Sequence, residues 1–257
     1  MIDETAAMTQ ELAGRVAVVT GSARNIGRAI ALQLARAGAA VVVSARSAAA
    51  EAEAVVREIS DAGGRAVHQL ADVTEPGEVE RLMARAVDAF GRLDILVNNA
   101  AVRRETPLSD LSYREWREIL GVILDGAFLC VKAALPHLEA SGAGAIVNLG
   151  GLSAHLGSKD RAHVVTAKAG IVGLTRALAH DLAPRDITVN CVVPGLIDTK
   201  RGASTAGEPA LHRTHATLVG RRGTPDEVAA LVRFLCGPEA RYLTGQTIHA
   251  NGGAFLP

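Results

Sequence analysis

Short runs of β-branched residues alternate with longer alanine-rich stretches along the chain. The strand-like runs are almost uniformly apolar, which is typical of strands covered on both faces of a sheet. The alanine-rich stretches have the length of helices, and several of them end at glycine. The predicted strands are 15–20, 40–44, 65–70, 94–97, 145–149, 187–193 and 246–248. The predicted helices are 25–37, 48–62, 75–90, 112–140, 161–182 and 225–236.

This regular alternation predicts an α/β fold, namely a single-domain, Rossmann-like, doubly wound parallel sheet flanked by helices. No linker or internal repeat interrupts it, so we expect one domain over 1–257 with an N-terminal extension at 1–13. The stretch from 195 to 223 has no clear periodicity. We interpret residues 198–222 as a substrate lid, because long irregular stretches in compact domains usually serve function.

Composition narrows the class of protein. The chain has 27 basic and 27 acidic residues, so no excess charge marks it as a nucleic-acid binder. Hydrophobic residues make up 49% and aromatic residues 3%, which predicts an aliphatic core. The N-terminus is acidic and lacks the basic region of a secretory signal, and we see no apolar run long enough to cross a bilayer. We therefore expect a cytoplasmic protein that binds neither nucleic acid nor membrane.

The three cysteines are Cys130, Cys191 and Cys236, and they are far apart in the sequence. None belongs to a CxxC pair, so neither a disulfide framework nor a metal site is expected. We interpret them as buried thiols.

A turn rich in small residues joins the first predicted strand to the first predicted helix. It reads TGSARNIG over residues 20–27. Small residues in this place let the backbone approach a pyrophosphate, which would sit at the N-terminus of the helix. The strand before the turn and the helix after it make this a stronger signal than the glycines alone.

Five motifs in this order resemble the short-chain dehydrogenase/reductase family, and in particular its 3-oxoacyl-(acyl carrier protein) reductase-like members. The turn is similar to TGxxxGxG, with Asn25 at the usual middle glycine; asparagine tolerates unusual backbone angles. The other motifs are Asp72-Val73, Asn98-Asn99-Ala100-Ala101, Pro194-Gly195-Leu196-Ile197-Asp198-Thr199 and Asn251-Gly252-Gly253. The resemblance implies a nucleotide cofactor held by Gly21, Ser22, Ala23, Arg24, Asn25, Ile26, Gly27, Asp72, Val73, Asn99, Ala100, Lys168, Pro194, Gly195, Ile197 and Thr199.

Charge at the end of the second strand bears on which cofactor is used. An acid there would bind the ribose hydroxyls of NAD and repel a 2′-phosphate. Here Ala45 takes that place, Arg46 follows it, and Arg24 lies in the glycine turn. Two guanidinium groups without a carboxylate favour NADP over NAD. The alternative is that both arginines are merely solvated.

The catalytic positions of the family are mostly substituted. The family uses a Tyr, a Lys four residues later, a Ser after the fifth strand and an Asn in the central helix. By resemblance Lys168 takes the Lys position, whereas Val164, Gly151 and Ile123 take the Tyr, Ser and Asn positions. None of these three can transfer a proton, and losing general acid catalysis costs roughly 10²–10⁴-fold in rate.

Two groups after the fifth strand are candidate substitutes. Ser153 and His155 are expected on a loop at the carboxyl edge of the sheet, where ligands bind. They could polarise a carbonyl, and His155 could exchange protons near neutral pH. The favoured alternative is an ordinary loop serine and a solvated histidine. His163 lies next to the Tyr position, but one residue turns about 100° around a helix, so it should point elsewhere.

Three arginines lie near the expected mouth of the substrate site. Arg161 precedes Val164 by one helical turn and could bind an anionic substrate, although we favour a surface residue at the start of the helix. Arg103 and Arg104 follow the NNAA motif. They could hold a carboxylate, with solvated charge as an equal alternative.

The sequence therefore leaves three functions open. The first is an NADP(H)-dependent oxidoreductase of atypical mechanism, acting on a small carbonyl or an activated alkene, with Lys168, Ser153 and His155 as catalytic residues. The second is an inactive homologue that serves as a non-catalytic subunit or nucleotide sensor. The third is a lyase or hydrolase that reuses the cleft with His155 as base. The family resemblance also implies a homotetramer or homodimer, or a hetero-oligomer with an active paralogue.

Overall fold

The computed structural model describes residues 10–199 and 216–257. It contains one sheet of seven strands. The strands are β1 (Val16–Val19), β2 (Ala40–Ala45), β3 (Arg65–Leu70), β4 (Ile95–Asn98), β5 (Ala145–Leu149), β6 (Thr188–Pro194) and β7 (Thr247–Ala250). Each lies within one or two residues of its predicted bounds.

Helices flank the sheet on both faces. They are α1 (Asn25–Arg36), α2 (Ala49–Asp61), α3 (Pro76–Phe90), α4 (Tyr113–Leu120), α5 (Gly126–Ser141), α6 (Ser153–Leu156), α7 (Ala162–Leu182) and α8 (Pro225–Cys236). Helix α6 was not predicted, because it has a single turn and no periodicity to detect.

The strand order is β3-β2-β1-β4-β5-β6-β7, and every pairing is parallel. Strand β1 lies between β2 and β4, so the direction of winding reverses there. A doubly wound sheet opens a crevice at this reversal, outside the carboxyl ends of the strands. The prediction of a Rossmann-like parallel sheet is confirmed.

Two apolar layers bury the faces of the sheet. Ala17 and Val19 of β1 join a cluster with α1, α2 and α8, whereas Val16 and Val18 join a second cluster with α3, α5 and the end of α7. Successive side chains of a strand point to opposite faces, so one apolar strand supplies both layers. This explains why the strand runs are apolar without alternation.

The predicted long helix 112–140 is continuous but not uniform. A π-helical segment, Gly121–Asp125, joins α4 to α5. Gly126 follows it and lies close against the loop after β3, where an added Cβ would be 2.7 Å from Cγ2 of Val73. The wider turn changes the phase of the helix, so α4 packs against α7 whereas α5 packs against the sheet.

The expectation that no apolar run is long enough to cross a membrane needs correction. Within the described ranges, one helix, Tyr113–Ser141, has sufficient length and hydropathy. Just under half of its most apolar stretch is buried inside the protein, and core helices of globular proteins meet the same criterion.

The ends of two predicted segments are anchored to the core. Residues 1–9 of the N-terminal extension lie outside the described residues, but Leu12 is fully buried and its N–H donates to the carbonyl of Ala37. Residues 200–215 of the predicted lid also lie outside them. The lid begins and ends beside a parallel bridge between Ile197 and Gly223.

All three cysteines are buried free thiols, as predicted. Burial raises the pKa of Cys130 and Cys236 to about 12 and that of Cys191 to about 11. A thiol is a weak nucleophile when it stays protonated, so none of the three is activated at neutral pH.

Asp94, just before β4, provides the first testable prediction. Its carboxylate is 1% exposed, accepts the N–H of Val16 at 2.9 Å and pairs with Arg92 at 2.6 Å. The Asp94→Ala substitution removes the acceptor for a buried N–H and should lower the free energy of unfolding by about 3 kcal/mol. Asp61→Ala, at an exposed aspartate, is the control, and both variants are measured by urea unfolding. Equal losses in the two variants would contradict a structural role of the buried Asp94 carboxylate.

Candidate functional site

Hydrogen bonds between β1 and β4 fix the floor of the crevice. The hydroxyl oxygen of Thr20 accepts the N–H groups of Asn99 and Ala100, each at 3.0 Å. In return, the Asn99 amide nitrogen donates to the carbonyls of Thr20 and Gly21, each at 2.9 Å. The NNAA motif therefore holds the glycine turn from the neighbouring strand.

The glycine turn leaves no room for larger residues. Gly21 has φ +63°, and a Cβ on Gly27 would lie 2.3 Å from the carbonyl oxygen of Gly21. Asn25 adopts φ +52°, the left-handed angle that the usual glycine would supply. These features form a close backbone cradle at the N-terminus of α1, which fits a nucleotide phosphate.

Three predicted cofactor residues in the turn have buried side chains. Ser22 donates its hydroxyl to the Val19 carbonyl at 2.7 Å and accepts the N–H of Ser44 at 2.9 Å. Ala23 and Ile26 belong to the apolar core. Their side chains shape and support the turn, so only their backbone is suited to face a phosphate.

The predicted adenine side lies where β3 ends. The Asp72 carboxylate accepts the N–H of Thr74 at 3.0 Å and its hydroxyl at 2.7 Å, which shapes the turn into α3. Val73 is buried against Gly126. One Asp72 oxygen is thus committed to the turn, and Val73 supplies an apolar contact.

Arg24 and Arg46 are both exposed, on the glycine turn and at the end of β2. Ala45, in the place of the ribose-binding acid, is buried. The pKa of Glu118 on α4 is lowered mainly by its hydrogen bond from Arg104, with a smaller contribution from the charge of Arg46. The positive charge of Arg46 therefore acts on the Arg104–Glu118 ion pair.

The predicted nicotinamide side lies at the ends of β6 and β7. Gly195 donates its N–H to the Ala250 carbonyl at 2.9 Å, and a Cβ there would lie 2.5 Å from Cα of Asn251. Pro194 ends β6, Ile197 is bridged to Gly223, and Thr199 is the last residue of the described range 10–199. The structure brings this segment and the Asn251 motif together.

A buried polar ladder lies beneath the cleft and was missed by sequence reasoning. The Asn98 amide donates to Asn148 at 2.9 Å, and the Asn148 amide donates to the hydroxyl of Thr175 at 3.0 Å. A small cavity lined by Asn98, Ile123 and Lys168 adjoins it. The ladder joins residues far apart in the chain, so no local pattern reveals it.

Two of the three positions that we align with the family's Tyr, Ser and Asn are buried and apolar. Ile123 and Val164 are each 2% exposed and belong to one cluster between α4, the π segment and α7. Gly151 differs, because a Cβ there would meet Lys168 Cγ at an ordinary 3.6 Å. The structure thus has room for a serine at Gly151, while apolar contacts occupy the other two positions.

Lys168 is the ionisable group at the centre of this arrangement. Its side chain is 5% exposed, and its ammonium donates to the carbonyl of Leu149 at the end of β5. Burial, reinforced by the positive charges of Arg103 and Arg161, lowers the pKa of Lys168 to about 7. Lys168 can therefore both hold and release a proton near neutral pH.

Ser153 and His155 lie in the short helix α6 rather than on the expected open loop. The ring of His155 packs edge-on against His249 at 4.5 Å and contacts Phe255 at 5.5 Å. Its Nε2 is buried without a hydrogen bond, and burial lowers the pKa of His155. In the described part of the chain no hydrogen bond joins Ser153 to His155, so they form no catalytic dyad here.

The arginines near the mouth have different environments. Arg104 is committed to Glu118 through bonds of 2.6 and 2.8 Å. Arg103 is exposed, whereas Arg161 is 9% exposed, so the expectation that Arg161 is a surface residue was wrong. The loop between β4 and α4 reaches the start of α7, since the Thr106 N–H donates to the Asp160 carbonyl at 2.7 Å.

His163 points away from the cleft, as its helical phase predicts. It is fully buried, and its Nε2 lies 3.3 Å from a carboxylate oxygen of Glu115 on α4. Glu115 also accepts the hydroxyl of Thr106 at 2.7 Å. This contact fastens the start of α7 to α4 and leaves the face that carries Val164 toward the cleft.

Comparison with known proteins assigns the family. The enoyl-(acyl carrier protein) reductase family matches residues 21–254. A 3-oxoacyl-(acyl carrier protein) reductase of Synechocystis sp. is 40% identical over 95% of this chain and 98% of its own. The 3-oxoacyl-(acyl carrier protein) reductase FabG of Staphylococcus aureus is 39% identical over 93% of this chain and 98% of its own.

Solved structures agree. A dehydrogenase/reductase from Sinorhizobium meliloti has a TM-score of 0.90 at 37% identity, covering 97% of this chain and 98% of its own. A short-chain dehydrogenase from Burkholderia cenocepacia, solved in complex with NADP, has a TM-score of 0.88 at 38% identity, covering 95% and 99%. These similarities define a dinucleotide-binding oxidoreductase fold. The chain belongs to the short-chain dehydrogenase/reductase family.

The buried ammonium of Lys168 makes stability depend on pH. Below about pH 7 the folded state holds a desolvated charge, whereas from there toward pH 10.5 only the unfolded chain stays protonated. The unfavourable contribution of Lys168 is therefore largest below pH 7 and fades as the pH rises. Lys168→Met should stabilise the protein more at pH 6 than at pH 9 in urea unfolding.

The exposed Lys132→Met variant on α5 is the control for this measurement, because its ammonium is solvated in both states. It should show no difference between the two pH values. If Lys168→Met changes the free energy of unfolding equally at pH 6 and pH 9, the fold does not lower the pKa of Lys168.

Proposed function

We propose that this protein is an NADP(H)-dependent reductase that acts on a carbonyl or activated alkene with Lys168 as its acid–base group. The supporting observation is the position of Lys168, buried beside Gly151 at the carboxyl end of β5 and within the nucleotide crevice. The names of the relatives indicate 3-oxoacyl thioesters as reference substrates.

Bound NADPH would supply a hydride to the substrate carbon. The chain must then supply a proton to the oxygen, or to the second carbon of an alkene. The Lys168 ammonium can lose this proton and leave a neutral amine that solvent recharges, because its pKa is about 7. Ser153 can serve only as a hydrogen-bond donor, and the packing of His155 against His249 and Phe255 gives the lyase and hydrolase hypotheses no support.

Two observations support NADP over NAD. Arg24 and Arg46 are exposed at the crevice without an acid at the end of β2, and a similar protein was solved with NADP. A guanidinium binds the 2′-phosphate as a charge-assisted, bidentate partner.

This preference is testable by titration with NADPH and NADH, followed by the fluorescence of the nucleotide. NADPH should bind more tightly, and Arg46→Ala should weaken NADPH about tenfold while leaving NADH nearly unchanged, because only NADPH carries the 2′-phosphate. Arg36→Ala, also exposed at the end of α1, is the control. Equal affinities of the wild type for both nucleotides would contradict the preference.

A second function, an inactive homologue that binds nucleotide as a subunit or sensor, is favoured by the apolar cluster. Ile123 and Val164 pack together where the family places its proton-transfer groups. Such a protein would keep the nucleotide crevice and lack turnover. Turnover of the wild type distinguishes the two functions. A reductase oxidises NADPH in the presence of a suitable carbonyl, whereas an inactive homologue oxidises it with none.

The triple variant Ile123→Asn, Gly151→Ser, Val164→Tyr tests the assignment of these positions. It restores the family's groups around Lys168, and Gly151 has space for the serine. With acetoacetyl-coenzyme A and NADPH, its kcat should exceed that of the wild type by at least about 10²-fold. Gly150→Ser is the matched control. It adds a serine at the neighbouring glycine, where a Cβ would lie 2.9 Å from the Cys191 sulfur, and it should bring no gain in kcat. A folded triple variant without gain would show that the positions are misassigned.

We also propose a cytoplasmic homo-oligomer, a dimer or tetramer, or an assembly with an active paralogue. The incomplete burial of the apolar helix Tyr113–Ser141 and the half-exposed ring of Phe128 support contact with another copy. Exposed apolar side chains on such a helix are typical of a surface that another subunit covers.

A further inference from the structure

Lys168 is a buried amine whose charge no acidic group of the described ranges offsets. The residue is 5% exposed, and its nitrogen is hydrogen-bonded to a neutral group, the carbonyl of Leu149. Within residues 10–199 and 216–257, no carboxylate pairs with it. A carbonyl oxygen cannot cancel a full positive charge, so burial favours the uncharged amine over the ammonium ion.

The ionisable groups that act on Lys168 belong to three elements. They are Arg161 at the start of α7, Arg103 on the loop after β4, and Cys191 on β6. The two arginines are cations, which disfavour a further positive charge nearby. Burial raises the pKa of the Cys191 thiol to about 11, so this group is uncharged at neutral pH. None of the three supplies the negative charge that would keep Lys168 protonated.

The Lys168 side chain has apolar neighbours on one side and the cleft on the other. Ile123 and Ile171 line a small cavity together with Lys168. On the cleft side, a Cβ built on Gly151 would contact Lys168 Cγ at 3.6 Å and no other described residue within 4 Å. The space in front of Gly151 therefore borders the lysine, and a small molecule in that space would lie against it.

Asn98 lines the same cavity and carries an unused hydrogen-bond acceptor. The residue is 7% exposed, and its amide nitrogen donates to Asn148 at 2.9 Å. Its carbonyl oxygen is buried and accepts no hydrogen bond from the part of the chain that the structure describes. Buried oxygens of this kind are normally hydrogen-bonded. The oxygen is therefore suited to a bound group that presents an N–H or O–H next to Lys168.

We propose that Lys168 is also a nucleophile, which forms an imine with a small aldehyde or ketone in the nucleotide-free cleft. Lysines that form such bonds are desolvated in apolar pockets or lie close to other cations, and Lys168 meets both conditions. This inference uses the same residue as the proposed reduction. It goes beyond that function, because it requires neither NADPH nor hydride transfer.

The reaction exchanges the carbonyl oxygen for the lysine nitrogen. The neutral amine attacks the carbonyl carbon, and proton transfer from nitrogen to oxygen gives a carbinolamine. The carbinolamine takes up one proton and loses water, which leaves an iminium ion with a carbon–nitrogen double bond. Ammonium and carbonyl compound thus give iminium and water, without an oxidant or a reductant. The free Asn98 oxygen can accept the hydroxyl of the carbinolamine or the N–H of the iminium.

The test traps the iminium ion with sodium cyanoborohydride, which reduces it to a stable secondary amine. The full-length protein without nucleotide is treated with acetone at pH 6.5, and modified lysines are located by mass spectrometry of peptides. Lys168 should be modified at least about tenfold faster than the exposed Lys132 and Lys159, because ordinary lysines are almost fully protonated there. Above pH 7 the ratio of the two rates should fall about tenfold per pH unit, since only the exposed lysines continue to lose protons.

Two controls separate the fold from the local sequence. Lys168→Arg keeps the positive charge and removes the amine, so α7 should carry no adduct while Lys132 and Lys159 react as before. In concentrated urea the lysines of the unfolded wild type should react at similar rates. A difference that persists in urea would arise from the local sequence and would overturn the proposal.

The outcomes for the imine and for the reduction are independent. If folded Lys168 reacts no faster than Lys132 at pH 6.5, Lys168 is not a nucleophile, whatever the reductase activity of the protein. If Lys168 is modified as expected but no carbonyl compound supports oxidation of NADPH, the proposed reduction fails while the nucleophile stands.

Discussion

The hydrogen bonds between Thr20 and Asn99 are the contacts on which the site depends. They tie β1 to β4 at the point where the sheet reverses its winding, and only there does a doubly wound sheet open a crevice. Gly21 adopts a left-handed backbone angle, which glycine tolerates, and the Asn99 amide on the next strand holds it there by donating to its carbonyl. The remaining parts of the nucleotide crevice are arranged around these hydrogen bonds.

Across the crevice, two positions that we align with the family's proton-transfer groups carry apolar side chains. Ile123 and Val164 gain apolar packing, which stabilises the junction of α4 and α7, whereas the family's polar groups there would have to be hydrogen-bonded to avoid a desolvation cost. Lys168 lies on the same helix as Val164 and is itself buried. Its environment is set by burial and by two arginines.

Local signals explain what could be predicted. The strands, the main helices and the glycine turn follow from apolar runs, helix ends and short motifs, and Asn25 has the left-handed angle expected of it. Boundaries are within two residues because glycine, proline and apolar runs act locally. The order of motifs also indicated the family that the comparisons show.

Contacts between distant segments explain what could not be predicted. The Arg104–Glu118 pair, the packing of His155 on His249 and the ladder from Asn98 to Thr175 each join separate elements. Burial is likewise a property of the assembled fold. Arg161 looks like an ordinary helix-start residue in the sequence, and only the folded structure shows that it is buried.

The π-helical segment Gly121–Asp125 has a consequence for how this cleft could change over generations. The bulge belongs to the backbone, and in this chain its central side chain, Ile123, is a hydrocarbon. A new polar side chain at that position would find its orientation already set by the helix. Side chains can therefore be exchanged at this position without remaking the backbone that presents them.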